Sequence, residues 1–147
     1  MDKGHWEFPH DFDIDEWFGF IYRITELSTG KEYIGKKQFH SYCRKAVKGK
    51  KRKKMVITEN DWKKYTSSST HINEAIAKLG KTAFKFEIES LHSTRGSLVY
   101  AEVRYQVTED VLRARMPDGT RKYFNGMISG VKYLPAVETL EEAKMKK

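Results

Sequence analysis

The 147 residues suit one compact domain with at most a short arm at either end. A third of them are charged, yet 39% are hydrophobic and 13% aromatic, which excludes disorder throughout and supplies a modest core. The net charge of +8 favours a polyanionic partner, nucleic acid or an anionic membrane surface. No apolar run approaches the roughly 18 residues that span a bilayer. The stretch MDKGHWEFPHDFDIDEW is acidic and aromatic, the wrong composition for a signal or transit peptide. The single cysteine, Cys43, excludes an internal disulfide and a cysteine-based zinc site. The expectation is a soluble intracellular protein with nucleic acid as its leading partner class.

Residues 1–18 read as an arm whose Trp6, Phe8, Phe12 and Trp17 dock on the domain, and the alternation in DFDID offers an edge strand. Gly19 and Phe20 open the β-prone run FIYRIT. Ser28-Thr29-Gly30-Lys31 supplies turn chemistry, and EYIG resumes the extended pattern, so a hairpin is predicted. From Arg44 to Lys54, RKAVKGKKRKK is basic at eight of eleven positions. Like charges at that density repel, which predicts a mobile loop or frayed helix until an anion arrives.

WKKYTSSST follows, ending in hydroxyl residues suited to cap a helix. In HINEAIAKLG, Ile72, Ala75, Ile76 and Leu79 form one helical stripe, and Gly80 is placed to end it. Phe84, Phe86 and Ile88 alternate with charged residues as in a half-buried strand. Val99, Val103, Val107 and Val111, broadened by Leu98, Ala101, Tyr105 and Leu112, predict a helix from about Ser97 to Arg113, which PDG breaks. RKYFNGMISG reads as loop or short strand, and ETLEEAKMKK as a terminal helix within a tail of residues 127–147. The fold class is α+β: a small antiparallel sheet containing an N-terminal hairpin, flanked by helices.

Several stretches together resemble a known family. Tyr22 in FIY and Tyr33 in YIG, eleven residues apart across the hairpin, resemble the GIY-YIG nuclease signature. SSSTHINEAIAKLGKTAFKFEI resembles the Ser-rich step, helix, glycine and Phe-rich strand of phage homing nucleases. SLVYAEVRYQ resembles the helix bearing the family's metal-binding glutamate, here Glu102, and KYFNG its later asparagine, here Asn125. DWKKYTSSS is similar to the phage Seg-type subgroup. The likeness spans residues 19–126, the proposed nuclease domain. It departs at FIY, where the glycine is displaced to Gly19; at the arginine, which maps to Arg44 or alternatively Arg52; and at Lys48, which stands where a histidine is frequent.

The resemblance implies hydrolysis of DNA phosphodiester bonds with Mg²⁺, or another divalent cation such as Mn²⁺, on Glu102. Such hard ions accept few protein ligands and keep their waters. Tyr22 is the candidate general base, provided a cation favours its phenolate, since a phenol with pKa near 10 is otherwise a poor base. Tyr33 would orient water or share the proton. Arg44 would grip phosphate through its planar fork, and Asn125 takes a structural or orienting role. The candidate DNA contacts are Lys36, Lys37, Arg44, Lys45, Lys48, Lys50, Lys51, Arg52, Lys53, Lys54 and Ser68.

Each residue also has a plainer reading. Tyr22 alone would be strand packing, Glu102 a solvated helix residue, the basic run a solvated loop, and Trp62 and Tyr65 core. Ser67, Ser68 and Ser69 suit capping or a phosphate hydrogen bond, and the five histidines show no metal-ligand spacing. The resulting expectation is a phage homing-type endonuclease acting on double-stranded DNA, monomeric or transiently dimeric on it. It would be cytoplasmic, in the bacterial host if phage-encoded. The rival is a non-catalytic module binding DNA or RNA on the same scaffold.

Overall fold

The computed structural model describes residues 1–128 and the backbone of Val131 and Lys132. Its centre is a three-stranded antiparallel sheet in the order β2-β1-β5, formed by β1 (Gly19–Glu26), β2 (Glu32–Gln38) and β5 (Phe84–His92). The predicted hairpin is present, with Tyr22 opposite Gly35 and Ile24 opposite Tyr33. Gly30, at φ +79°, closes its turn, and the Gly30 amide donates to the Glu26 carbonyl at 2.8 Å. On the other side of β1 the register slips by one residue between Ile21 and Tyr22, so β5 bulges at Glu89. A bulge re-aims side chains, and Glu89 thereby joins Glu32 and Glu109 around the half-buried Arg23.

Period-two alternation divides β1 between two cores. Phe20, Tyr22 and Ile24 face Trp6, Phe39, Trp62, Ile72 and the β5 residues Phe84, Phe86 and Ile88. Ile21 faces the other way, with Ile34, Leu98, Ala101, Val111, Leu112 and Tyr123. Each large apolar side chain removed from water contributes about 1.5–3 kcal/mol, so β1, buried on both faces, is the keystone of both clusters. The arm docks on the first cluster through buried Trp6 and half-buried Phe8, Phe12, Ile14 and Trp17. DFDID is no strand, however. An Asx turn at Asp13 bends the chain there, and Glu7 instead bridges Glu87 in parallel.

The basic run is corrected as well. It is neither a helix nor wholly a loop, because its ends belong to a second hairpin of β3 (His40–Lys45) and β4 (Lys54–Glu59). This ribbon pairs with itself alone and with no strand of the central sheet. The β-branched run Val56-Ile57-Thr58 drives it, pairing across to Cys43, Tyr42 and Ser41.

The helices are α1 (Thr70–Leu79) and α2 (Arg95–Thr108). Gly80, at φ +86°, ends α1, as predicted, with its amide bonded to the Ile76 carbonyl at 2.7 Å. Leu79 is exposed rather than part of the stripe. α2 starts earlier than the valine pattern suggests, because the Thr94 hydroxyl caps the Ser97 amide at 3.1 Å. It also stops earlier, where Asp110 adopts φ +52°. Val99 and Val107, inside the helix, are exposed, while Val111 and Leu112 are buried from the turn beyond it. The short pair β6 (Met127–Ile128) and β7 (Val131–Lys132) follows the Asn125 loop. The expected terminal helix lies outside the described residues.

Candidate active site

Tyr22 comes off the middle of β1 and is 2% exposed. Its neighbour across the hairpin, Gly35, is the glycine of YIG. A Cβ there would collide with the Tyr22 hydroxyl and come within 3.0 Å of the Tyr33 ring, so only glycine lets the phenol pass beneath β2. The Tyr22 and Tyr33 rings stack at 6.1 Å, and Tyr65 meets Tyr22 edge-on at 6.1 Å. Gly19, the displaced glycine of the first motif, serves packing instead. A Cβ on it would lie 2.7 Å from Leu98 of α2.

Ser67 completes the pair, and sequence reasoning missed its importance. Its side chain hydrogen-bonds both phenols. It is buried at φ +100°, a conformation rare for a residue with a side chain. The local network explains how that geometry persists. The Ser67 hydroxyl accepts from the Ser69 amide at 3.0 Å, and Asn73 Nδ2 donates to the Ser67 carbonyl at 2.8 Å. Ser69 itself stands at the α1 N-cap without using its side chain, contrary to the capping expected of it. Ser68 is exposed and lines a cleft of about 420 Å³ with Tyr33, Ser69, Thr70, His71 and Asn125.

Glu102 comes from α2 and pairs with Lys36 of β2 at 3.1 Å. Its charge acts on both phenols, which joins the helix to the hairpin pair. Burial holds the Tyr22 pKa far above the ordinary phenol value, reinforced by Tyr33 and Glu102. Tyr33 is raised too, again chiefly by burial; the Ser67 hydrogen bond opposes the rise at both phenols, but the hydrogen bond from Tyr22 opposes it at Tyr33 alone. Tyr33 is therefore the easier of the two to ionise, and it is the one that lines the cleft.

Asn125 is 2% exposed and grips β2 with both ends of its amide. Its Oδ1 accepts from the Ile34 amide at 3.1 Å, and its Nδ2 donates to the Ile34 carbonyl at 2.7 Å. Arg121 in turn donates to the Asn125 carbonyl at 2.5 Å. Asn125 thus fixes the strand that carries Tyr33, Gly35 and Lys36.

Of the remaining candidates, Lys37 borders this cluster and those of the basic run lie apart from it. Lys37 pairs with Asp61 at 3.3 Å and lies 4.1 Å above the Tyr65 ring. Arg44 and Lys45 are on β3, Lys54 is on β4, and Lys48, Lys50, Lys51, Arg52 and Lys53 are in the connection between them, all exposed. Among the described residues, neither Arg44 nor Arg52 touches the tyrosines, Ser67 or Glu102, because the run pairs as a ribbon of its own. No group of three or more His, Cys, Asp or Glu side chains able to hold a metal occurs among the described residues. Glu102 nevertheless suits an ion that needs one carboxylate and keeps its waters, with the Lys36 ammonium already marking a cation position on its oxygen.

A family profile described as "Putative endonuclease segE, GIY-YIG domain" matches residues 5–128. The chain belongs to this GIY-YIG endonuclease family. The match begins within the arm, in keeping with the burial of Trp6, and ends just past Asn125. Among curated proteins and among solved structures, nothing matches. Membership gives the hairpin tyrosines a nuclease context and makes DNA the substrate class of the family. Among the described residues, no helix is long and apolar enough to cross a membrane.

Proposed function

We propose that this GIY-YIG protein is a divalent-cation-dependent endonuclease that hydrolyses phosphodiester bonds of double-stranded DNA. The observation that carries the reading is the pairing of Tyr22 and Tyr33 around Ser67, with the Glu102 charge acting on both phenols and Tyr33 opening onto a cleft. Glu102 would hold Mg²⁺ or Mn²⁺. Such an ion, when bound, supplies positive charge beside the phosphate and the departing 3′ oxygen.

The protein's own groups divide the remaining work. Tyr33, at the cleft, takes the proton of the attacking water, while Tyr22 and Ser67 donate hydrogen bonds that stabilise its phenolate. This shares the base role that the motif alone assigns to Tyr22. Lys36, which now pairs with Glu102, would be free to hold a phosphate oxygen were Glu102 to hold a cation. Arg44 or Arg52 grips phosphate from the ribbon. Asn125 keeps β2 in register and touches no substrate.

The test is supercoiled plasmid with Mg²⁺ or Mn²⁺. Wild type should nick or linearise it, EDTA should stop the reaction, and Glu102→Gln and Tyr33→Phe should each slow it by about 10²-fold or more while DNA affinity holds. Because burial keeps both phenols protonated at neutral pH, the rate should climb with pH into the alkaline range. Cleavage that persists in EDTA and in Glu102→Gln would refute the mechanism. The separation of Arg44 from the tyrosines favours one rival, a non-catalytic DNA-binding module. Tight binding without any cleavage would establish it.

A further inference from the structure

The eight cations of residues 44–54 equal the net charge of the entire chain, and no acid occurs between His40 and Thr58. The rest of the protein therefore sums to zero, and its whole basicity sits on one exposed two-stranded ribbon. Because paired residues share a face, Tyr42 and Ile57, with Met55 next along β4, line one side. These three are 45%, 58% and 46% exposed. Met55 and Ile57 face water, and Tyr42 stays half-exposed although Phe18 stacks on it at 6.1 Å; such a face on a ribbon that packs on no sheet calls for a partner. A second copy would set eight cations against eight more, so self-association through this face is opposed by charge.

We propose that the ribbon enters the major groove of double-stranded DNA, its cations on the flanking phosphates and its Tyr42–Met55–Ile57 face against base edges and thymine methyl groups. The groove, about 12 Å wide, admits a two-stranded ribbon, and apolar side chains discriminate thymine there by its methyl. The strands, of six residues each, extend roughly 20 Å, enough to follow several base pairs. Base choice is thereby separated from cutting: the ribbon selects and the tyrosine cleft hydrolyses. The inference rests on DNA being the substrate but not on cleavage itself.

The experiment uses the full chain in EDTA, where nothing is cut. Wild type and Tyr42→Ser/Ile57→Ser each select from a random-sequence duplex library, and bound DNA is probed by dimethyl sulfate methylation of guanine N7. Wild type should enrich a motif with roughly tenfold preference per reading position, and N7 methylation within that motif should block binding. The double variant should lose the motif yet keep its affinity for unselected DNA and its salt dependence. Ile57→Thr, which retains β-branching, scores the same face should the double variant not fold. An unchanged motif in the variants, no motif in wild type, or indifference to N7 methylation overturns the proposal. So does a wild-type dimer in sedimentation that the double variant abolishes, which would give the face to a second copy. Groove-specific binding by a protein that cuts no DNA would instead overturn the nuclease reading and leave this inference standing.

Discussion

Ser67 carries the site's most specific demand on the backbone. At φ +100° it occupies a region that costs a non-glycine residue about 1–3 kcal/mol, and strain of this kind gathers at functional positions. The hydroxyl and the strain can be separated by substitution. Ser67→Gly removes both, and Ser67→Ala removes only the hydroxyl. In urea unfolding, Ser67→Gly should be more stable than Ser67→Ala by about 1 kcal/mol. Both should lose cleavage to a similar degree if Tyr33 is the base proposed above, because each deprives its phenolate of a donor. Full activity in the glycine variant would show that the hydroxyl contributes nothing beyond holding the loop. Sequence marked the serine cluster but not the serine, since the positive φ and the Asn73 brace arise only when α1 docks. The tyrosine hairpin was legible because its two motifs are local, while Glu102 and Asn125 were singled out by resemblance alone. The geometry of Gly35 beneath the Tyr22 hydroxyl is the physical reason the second motif ends in glycine.

Elements were legible wherever one burial pattern governed a whole segment. β1, β2 and β5 follow their periodicities, and α1 follows its own as far as Ile76. α2 misled because its valines recur every four residues, a spacing that drifts around a helix of 3.6 residues per turn, so Val99 and Val107 face solvent. The ribbon was hidden by its charge, although Val56-Ile57-Thr58 carried the β signal. The arm offers a test at this scale. His5 stacks on Phe86 at 4.0 Å and donates Nε2–H to the Tyr65 carbonyl at 3.0 Å, while its buried Nδ1 has no partner among the described residues. Burial, aided by Lys81, lowers its pKa to about 4 from 6.5. The folded state therefore prefers the neutral ring, and the unfolded chain takes up a proton first as pH falls. The stabilisation is whole above about pH 6.5 and is lost as pH drops towards 4. Thermal melts across that window should show Tm falling more steeply for wild type than for His5→Leu, which cannot titrate. His92, also shifted down by burial, is common to both proteins and cancels in the comparison.

At the scale of the whole molecule, stability and charge reside in different places. The two cores meet on β1 and use the arm, α1, α2 and the loop to Tyr123, whereas the ribbon joins them at its base, through the Phe18–Tyr42 stack at 6.1 Å, the His40–Asp15 pair, the Gln38 side chain on the His40 carbonyl and the Trp62 indole N–H on Glu59. Tyr42 and Ile57 are register partners, so a two-residue Asn-Gly turn can join them directly and remove residues 43–56 without disturbing the base. The shortened protein has eight fewer cations and the same number of acids. Its Tm should stay within a few degrees of wild type, because a surface hairpin contributes little to either core. DNA binding should change far more. Each phosphate that the protein no longer neutralises takes about 0.9 from the slope of log affinity against log salt. A ribbon that touches four or five phosphates therefore accounts for roughly four units of that slope. With net charge near zero at neutral pH, solubility should also fall. A collapse of Tm on shortening would show instead that the ribbon is part of the folding unit. A retained salt slope would move the phosphate-binding role to Lys36, Lys37 and the cleft. Either result is separable from catalysis, since Tyr22, Tyr33, Ser67, Glu102 and Asn125 all lie outside the excised segment.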